Sequence, residues 1–261
     1  PINESSPVDP KLPYRESKLL TEKILEEESR DIPLVILRPA GVYDEGCHSA
    51  FLSQQIARIY EHQLIAHLYP GSLSTGQPYL HLQDLVHAID KAVCKRNDLP
   101  NTTTILIGEQ DVIGYGELQR KLGLLLHDEE WTTVSITPQI AHAGLWVQET
   151  MLDENVFQKS WMIDIANDHY ELDIGRAQEL LEWTPSHRLE DSLPAMINQL
   201  KQDPYAWYQQ NGLNAARVTH DKIEHADERI VEPDPIKERQ SMRKHENAME
   251  NMHFNMLWVH F

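Results

Sequence analysis

The sequence predicts an α/β fold: the later part of a doubly wound parallel sheet, with a small helical lobe and a charged C-terminal extension. Three observations predict it. Short strand-like runs at 32–37, 79–82, 103–107 and 132–136 alternate with helical patterns, and strand–helix alternation of that kind builds parallel sheets. The run Ile32-Pro33-Leu34-Val35-Ile36-Leu37 is apolar throughout, as in a strand covered on both faces. Beyond Asn211 the character changes, and His220 to Glu250 is dense in charge and poor in large apolar residues. That composition makes a solvated helix or linker, not core. Residues 1–211 therefore read as the globular part and 212–261 as the extension.

The elements follow in chain order. Residues 13–28 read as a helix, with Pro13 at its first position, Glu16 in its first turn, and Leu20 and Ile24 four apart. The apolar strand at 32–37 comes next. A helix at 49–61 carries Phe51, Leu52, Ile56 and Ile59. Tyr79-Leu80-His81-Leu82 reads as a short strand, after which Asp84 is placed to cap a helix bearing Leu85, Ala88, Ile89, Ala92 and Val93. A strand at 103–107 ends on Gly108, and a helix at 117–126, a strand at 132–136 and a helix opened by Pro138 continue the alternation. Residues 151–183 are irregular and aromatic, with a polar-aromatic cluster at Asp168-His169-Tyr170. Asp173 is placed to cap a helix carrying Ala177, Leu180 and Leu181, and a last helix spans 189–200.

Composition narrows the function classes. A chain of 261 residues with 41% hydrophobic content can build a real core. A formal net charge of -18 argues against nucleic-acid binding, which needs a basic surface. Cys47 and Cys94 stand far apart and in no metal-ligand spacing, which suits a reducing cytoplasm and makes neither a disulfide framework nor a zinc site. The histidines at 220, 225, 245, 253 and 260 match no metal-site spacing either, so no metal is expected. The chain stops in the apolar run 254–261, with Arg243 and Lys244 ahead of it. This run is shorter than the roughly 20 residues of a span. It reads as the approach to a membrane segment if the chain continues past Phe261, which would tether an otherwise cytoplasmic protein.

The chemistry rests on Tyr14-Arg15-Glu16-Ser17-Lys18. Tyr and Lys four apart share one helix face. A free phenol, with a pKa of about 10, is a poor base at neutral pH, and an adjacent ammonium favours the phenolate. Such a face supplies a proton donor or acceptor suited to hydride chemistry at a carbonyl or carbinol. The ammonium also has donors for ribose hydroxyls. The helix leads into the apolar strand, which ends in Arg38-Pro39-Ala40-Gly41-Val42-Tyr43. Ligands of open α/β sheets sit at the carboxyl ends of strands.

Three segments in this order resemble the extended short-chain dehydrogenases, the NAD-dependent epimerase/dehydratase family. They are Pro13-Tyr14-Arg15-Glu16-Ser17-Lys18-Leu19-Leu20-Thr21-Glu22-Lys23, Leu37-Arg38-Pro39-Ala40-Gly41-Val42-Tyr43 and Tyr79-Leu80-His81-Leu82-Gln83-Asp84-Leu85. The likeness runs to about Asn211 and includes 173–185, similar to the family's closing segment. The resemblance implies a Rossmann-type sheet, NAD or NADP as cofactor, and a small-molecule substrate, often a sugar nucleotide. It implies Tyr14 as catalytic acid/base and Lys18 as the residue that tunes it and binds the nicotinamide ribose. Pro39, Ala40, Gly41 and Val42 would line the nicotinamide. Arg38, Tyr43, His81 and Asp84 would lie on the substrate side. A homodimer is compatible with it. The alternative is a non-catalytic member of the same fold that senses dinucleotide or scaffolds a partner.

The family's Gly-rich phosphate loop is not found: neither Gly108, Gly114 and Gly116 nor Gly71 and Gly76 compose it. The expectation is that the nucleotide-binding half and the catalytic Ser or Thr lie ahead of Pro1. Calorimetry on this chain alone should then detect no NAD(P)H binding, and micromolar affinity would overturn that expectation.

Overall fold

A proline at the first position of a helix costs no hydrogen bond, and Pro13 opens the first helix of the chain. The computed structural model describes residues 1–8, 13–29, 32–151 and 160–218, with the side chains of 13–14 and 145–151 outside that description. In chain order the elements are α1 (Pro13–Ser29), β1 (Leu34–Pro39), β2 (Gly41–Tyr43), α2 (Ala50–Tyr60), a 3-10 turn (Leu64–His67), β3 (Leu68–Tyr69), β4 (Tyr79–His81), α3 (Leu82–Cys94), β5 (Thr102–Ile107), α4 (Tyr115–His127), β6 (Val134–Ser135), α5 (Pro138–Met151), α6 (Ser160–Asp164), α7 (Gly175–Leu181), α8 (Leu189–Gln202) and α9 (Pro204–Gln210).

All described strand pairs are parallel. β1 pairs with β5 from Leu34↔Thr102 to Pro39↔Ile107. β2 pairs with β4 from Gly41↔Tyr79 to Tyr43↔His81, and β3 pairs with β6. β1 differs from its expectation: only Ile36 and Arg38 are buried, and the other four residues are half-buried. Among the described residues β5 is the only partner of β1. β1 is therefore an edge strand here, and an edge leaves its side chains partly uncovered. Both helices that pack on it carry outward apolar residues: Leu20 and Ile24 on α1, and Leu82, Val86, Ile89 and Val93 on α3.

Two apolar clusters hold the rest. One gathers Leu52, Ile56, Ile59, Leu122, Leu193 and Met196 from α2, α4 and α8. The other packs Ile105 and Ile107 of β5 and Leu80 of β4 against Ala88 of α3, and Leu181 and Trp183 at the end of α7. Each such aliphatic side chain contributes about 1.5–3 kcal/mol on full burial. Trp183 is wholly buried and its indole N–H donates to the Asp84 carbonyl at 3.1 Å. The first residues pack as well: Ile2 bridges to Leu172, and the Glu4 carboxylate accepts from the Leu106 N–H at 2.7 Å.

Two capping expectations change. α3 is capped by His81, whose Nδ1 accepts from the Gln83 N–H at 3.2 Å, and not by Asp84. Asp84 sits inside the first turn, because its carboxylate is engaged by the chain after α7. Asp173 acts from one residue before the cap, accepting from the Gly175 N–H at 3.0 Å. The strand expected at 132–136 shortens to Val134–Ser135. The segments 220–250 and 254–261 lie outside the described residues.

Gly76 lies where the chain passes the 113 carbonyl, and a Cβ there would meet the Ile113 oxygen at 2.0 Å. Backbone cannot give way as a flexible side chain does, so Gly76→Ala should destabilise by about 1–3 kcal/mol. A urea midpoint equal to that of the parent chain would contradict this.

Candidate active site

The candidate site is set by how α1 lies on β1. Arg38 and Glu22 form a buried two-pronged pair, with Nε donating to Oε1 at 3.0 Å and Nη2 to Oε2 at 2.5 Å. Both side chains are only 10% exposed. Glu22 lies about 10 Å back from the end of its helix, and Arg38 about 13 Å along its strand. Those similar distances from the intervening turn are what antiparallel packing requires. Lys18 and Tyr14 follow on the same face as Glu22, about 6 and 12 Å further along the axis. β1 ends one residue beyond Arg38. The Tyr14–Lys18 face therefore extends past the carboxyl end of β1. The Tyr14 side chain lies outside the described residues, and Lys18 is half-buried. Arg15, 6% exposed, approaches Asp168 at 3.9 Å and docks this end of the helix on the irregular segment.

The strand exit itself is well ordered by hydrogen bonds. The Ala40 N–H donates to the Ile107 carbonyl at 2.8 Å, and the Gly41 N–H to the Pro78 carbonyl at 3.3 Å. Ala40 is buried, whereas Pro39, Gly41 and Val42 remain half-buried. A Cβ on Gly41 would meet nothing closer than Tyr79 Cδ1 at 3.4 Å. The residues just after, Asp44 to His48, make a tight turn: Asp44 accepts from the His48 N–H at 3.0 Å and meets its ring at 2.7 Å.

A second group of side chains gathers where β2, β4 and β5 end. The Tyr43 ring stands edge-on to His81, with centroids 5.2 Å apart. His81 is fully buried, its ring lies parallel to His187 at 4.1 Å, and its Nε2 is 3.3 Å from Glu45. Asp84, 1% exposed, accepts from the Ser186 hydroxyl at 2.6 Å, the Ser186 N–H at 3.0 Å and the His187 N–H at 2.9 Å. Burial opposes its ionisation, but these hydrogen bonds outweigh it and hold the carboxyl below the ordinary range. Glu109, just past β5, is 7% exposed and its Oε2 accepts from the Leu189 N–H at 2.9 Å. Here burial dominates and pushes the carboxyl upward, against the Leu189 N–H, Tyr43 and Arg188. Burial also pushes the neighbouring Tyr43 phenol up. Among the described residues no cluster with metal-ligand geometry exists.

The structure thus brings Arg38, Pro39, Ala40, Gly41, Val42 and Tyr43 to one exit and places His81 and Asp84 beside Tyr43. Arg38 holds α1, and Asp84 holds the segment after Trp183. Sequence reasoning missed Glu22, Glu109, Ser186 and His187; the 44–48 segment, read as either a substrate loop or a plain turn, brings Glu45 within 3.3 Å of His81. Glu109 carried a usable signal, since it lies two residues past the end of the 103–107 strand. Ser186 and His187 carried none.

Residues 1–108 match the family model described as NAD dependent epimerase/dehydratase family. The matched segment holds α1, β1, β2, β4, α3 and β5, and with them Arg38–Tyr43, His81 and Asp84 of the candidate site. Solved epimerase and dehydratase structures share the fold. A UDP-glucose-4-epimerase from Stenotrophomonas maltophila with bound NAD and formylated UDP-arabinopyranose is 20% identical, with a TM-score of 0.57, over 79% of this chain and 60% of that one. A dTDP-glucose 4,6-dehydratase from Bacillus anthracis str. Ames in complex with NAD is 15% identical, with a TM-score of 0.58, over 80% and 58%. A UDP-glucuronic acid 4-epimerase from Bacillus cereus in complex with UDP-glucuronic acid and NAD is 18% identical, with a TM-score of 0.54, over 77% and 56%. At these identities the likeness establishes a Rossmann-type α/β fold. The chain spans 56–60% of the length of these three structures. No curated protein matches it.

The two buried carboxyls have opposite pH signatures. Asp84→Asn should cost about 3 kcal/mol at pH 7, because it leaves buried donors without their anion. With its folded pKa lowered, Asp84 stabilises fully above the unfolded value of about 4, and the contribution fades as pH falls through the folded value. Glu109 is raised, so its ionised form weighs against folding once pH exceeds the unfolded value of about 4.3. Glu109→Gln should therefore gain on the parent chain between pH 4 and pH 8. Urea titrations across that range check both; a pH-independent Asp84→Asn deficit, or a Glu109→Gln variant that loses ground with rising pH, would contradict them.

Proposed function

We propose that the chain carries the catalytic face of an NAD(P)-dependent oxidoreductase or epimerase acting at a carbinol or carbonyl carbon, with nucleotide sugars as the substrate class. The observation that carries this reading is the Arg38–Glu22 pair, which sets the Tyr14–Lys18 face of α1 past the end of β1. The NAD-bound epimerases and dehydratase of the same fold support it.

The residues present fit the nicotinamide end of the cofactor. Pro39, Gly41 and Val42 are half-buried at the strand exit, and Gly41 leaves room for close approach. Lys18 would bind the adjoining ribose hydroxyls and favour the Tyr14 phenolate. When bound, the dinucleotide supplies the hydride acceptor or donor. Tyr14 takes the substrate hydroxyl proton as the carbinol C–H gives up hydride, and returns it when the carbonyl is reduced. Tyr43 lies on the substrate side with His81 behind it. Arg38 and Asp84 act by holding α1 and the segment after Trp183. The phosphates and adenosine find no Gly-rich loop in this sequence, so they belong to a nucleotide-binding half. The free edge of β1, between the apolar faces of α1 and α3, is where further strands of such a sheet would add.

Free Cys47 and Cys94 suit the cytoplasm. The outward Leu20 and Ile24 of α1 would serve a homodimer. No described helix is long and apolar enough to cross a membrane, and the proposed tether lies at 254–261, outside the described residues.

With the nucleotide-binding half present, Tyr14→Phe should abolish most turnover on nucleotide sugars, by about 100-fold or more, and leave dinucleotide affinity near that of the parent. Retained turnover would sink the assignment. Gly41→Ala should leave stability unchanged, since its Cβ meets only ordinary contacts, while weakening NAD(P)H binding. Equal affinity in a fluorescence titration would remove the 39–42 segment from the cofactor site.

A further inference from the structure

α2 carries two kinds of face. Leu52, Ile56 and Ile59 point into the apolar cluster, whereas Phe51, Gln55 and Arg58 recur four and three residues apart along another stripe. Gln55 and Arg58 are both half-buried. Residues three apart on a helix have Cβ atoms about 5–6 Å from one another, so the amide and the guanidinium stand together.

What this stripe lacks is acceptors. Among the described residues the Arg58 guanidinium makes no hydrogen bond and no ion pair. Gln55 Nε2 is buried and has no partner either. Glu61 follows one turn later, but its oxygens are taken. Oε1 accepts from the Tyr208 hydroxyl at 2.7 Å, and Oε2 accepts from Gln63 Nε2 at 2.6 Å and from Arg217 at 3.5 Å. Arg217 spends only Nη1 on that long contact, and its side chain is 52% exposed.

The Tyr115 phenol of α4 lies beside Arg58. Burial pushes it up, against Arg58 and Gln119, so it keeps its proton at neutral pH. Its oxygen accepts from Gln119 Nε2 at 2.6 Å, and among the described residues its O–H has no acceptor. Burial also weighs against the charge on Arg58, opposed by Tyr115 and Glu61 and reinforced by Arg217. A guanidinium stays charged even so. Two guanidinium groups thus repel one another, with one engaged carboxylate to offset them.

Donors without a free acceptor match a ligand that brings acceptors alone. A tetrahedral oxyanion meets a guanidinium with two oxygens and keeps others for an amide and a phenol. We propose that Arg58, Gln55, Tyr115 and Arg217 compose a binding site for a small oxyanion of the phosphate or sulfate type. A bound oxyanion ties α2 to α4 and to the 211–218 segment. None of the four residues belongs to the candidate active site, so the site stands apart from the oxidoreductase reading. A formal charge of -18 repels anions from the chain as a whole, and any that bind from dilute solution need a local cluster of donors.

The test titrates the full chain, in phosphate-free buffer, with sodium phosphate, with sodium sulfate, and with sodium chloride at matched ionic strength. Phosphorus NMR line broadening and thermal unfolding follow the binding, at low-millimolar concentrations where these salts do not yet stabilise proteins in general. Both oxyanions should bind in the millimolar range and raise the unfolding temperature, and chloride should do neither. Arg58→Met keeps an apolar stem and should weaken binding about tenfold or more, the loss of a two-pronged charged contact. In phosphate-free buffer it should unfold at the same urea concentration as the parent chain or a higher one, since an unmatched cation is gone. Gln55→Glu sets acceptors where the donor was and should abolish binding. Arg176→Gln removes an exposed cation on α7 and should change nothing.

An oxyanion response no larger than that to chloride would overturn the proposal. A response that survives both Arg58→Met and Gln55→Glu, or one that Arg176→Gln reduces equally, would do the same. An Arg58→Met chain that unfolds at lower urea without phosphate would overturn it too, because the guanidinium would then be satisfied within the protein.

Discussion

Ser186 and His187 close on the Asp84 carboxylate from outside α3, through two backbone N–H groups and a hydroxyl. The indole of Trp183 reaches the Asp84 carbonyl from the same stretch of chain. A carboxylate buried this completely survives only where donors surround it. This knot fixes the 183–189 segment against the strand ends, and that segment delivers the first turn of α8 to Glu109. It adds a polar anchor to the apolar cluster through which Leu189 and Leu193 of α8 already pack with Tyr43.

The Arg38–Glu22 pair does for α1 what Asp84 does for the lobe. A helix packed on a strand by apolar contacts alone can slide by a turn, because one ridge resembles the next. A two-pronged ion pair cannot, since guanidinium and carboxylate match only in one plane and at one separation. The pair thereby gives the helix an axial register, and that register decides whether a phenol two turns away falls beside a ligand or misses it. Its value lies in position more than in stability, as buried ion pairs seldom stabilise much.

The alternation of runs made the fold class legible, and the spacing of Tyr14 and Lys18 ahead of the Arg38–Tyr43 exit made half of the site legible. Local patterns carry that information, because helix faces and strand ends are set by near neighbours in sequence. The other half depends on residues far apart in sequence: Ser186 lies 102 positions from Asp84, and Leu189 lies 80 from Glu109. Asp84 read as a cap because Asp before an apolar run is a good cap. The actual cap is His81, and the distant Ser186 and His187 claimed the carboxylate instead. β1 read as fully covered because all its side chains are apolar up to Leu37, yet burial depends on how many strands lie beside it, which no single run encodes.

That uncovered strand has a bearing on handling. An unpaired strand edge flanked by apolar helix faces is a template on which another chain can add by backbone hydrogen bonding. The formal charge of -18 opposes such association by mutual repulsion, and added salt screens that repulsion over about 10 Å at 0.1 M. Among the described residues the free edge of β1 is thus better guarded by charge repulsion in dilute buffer than in concentrated salt.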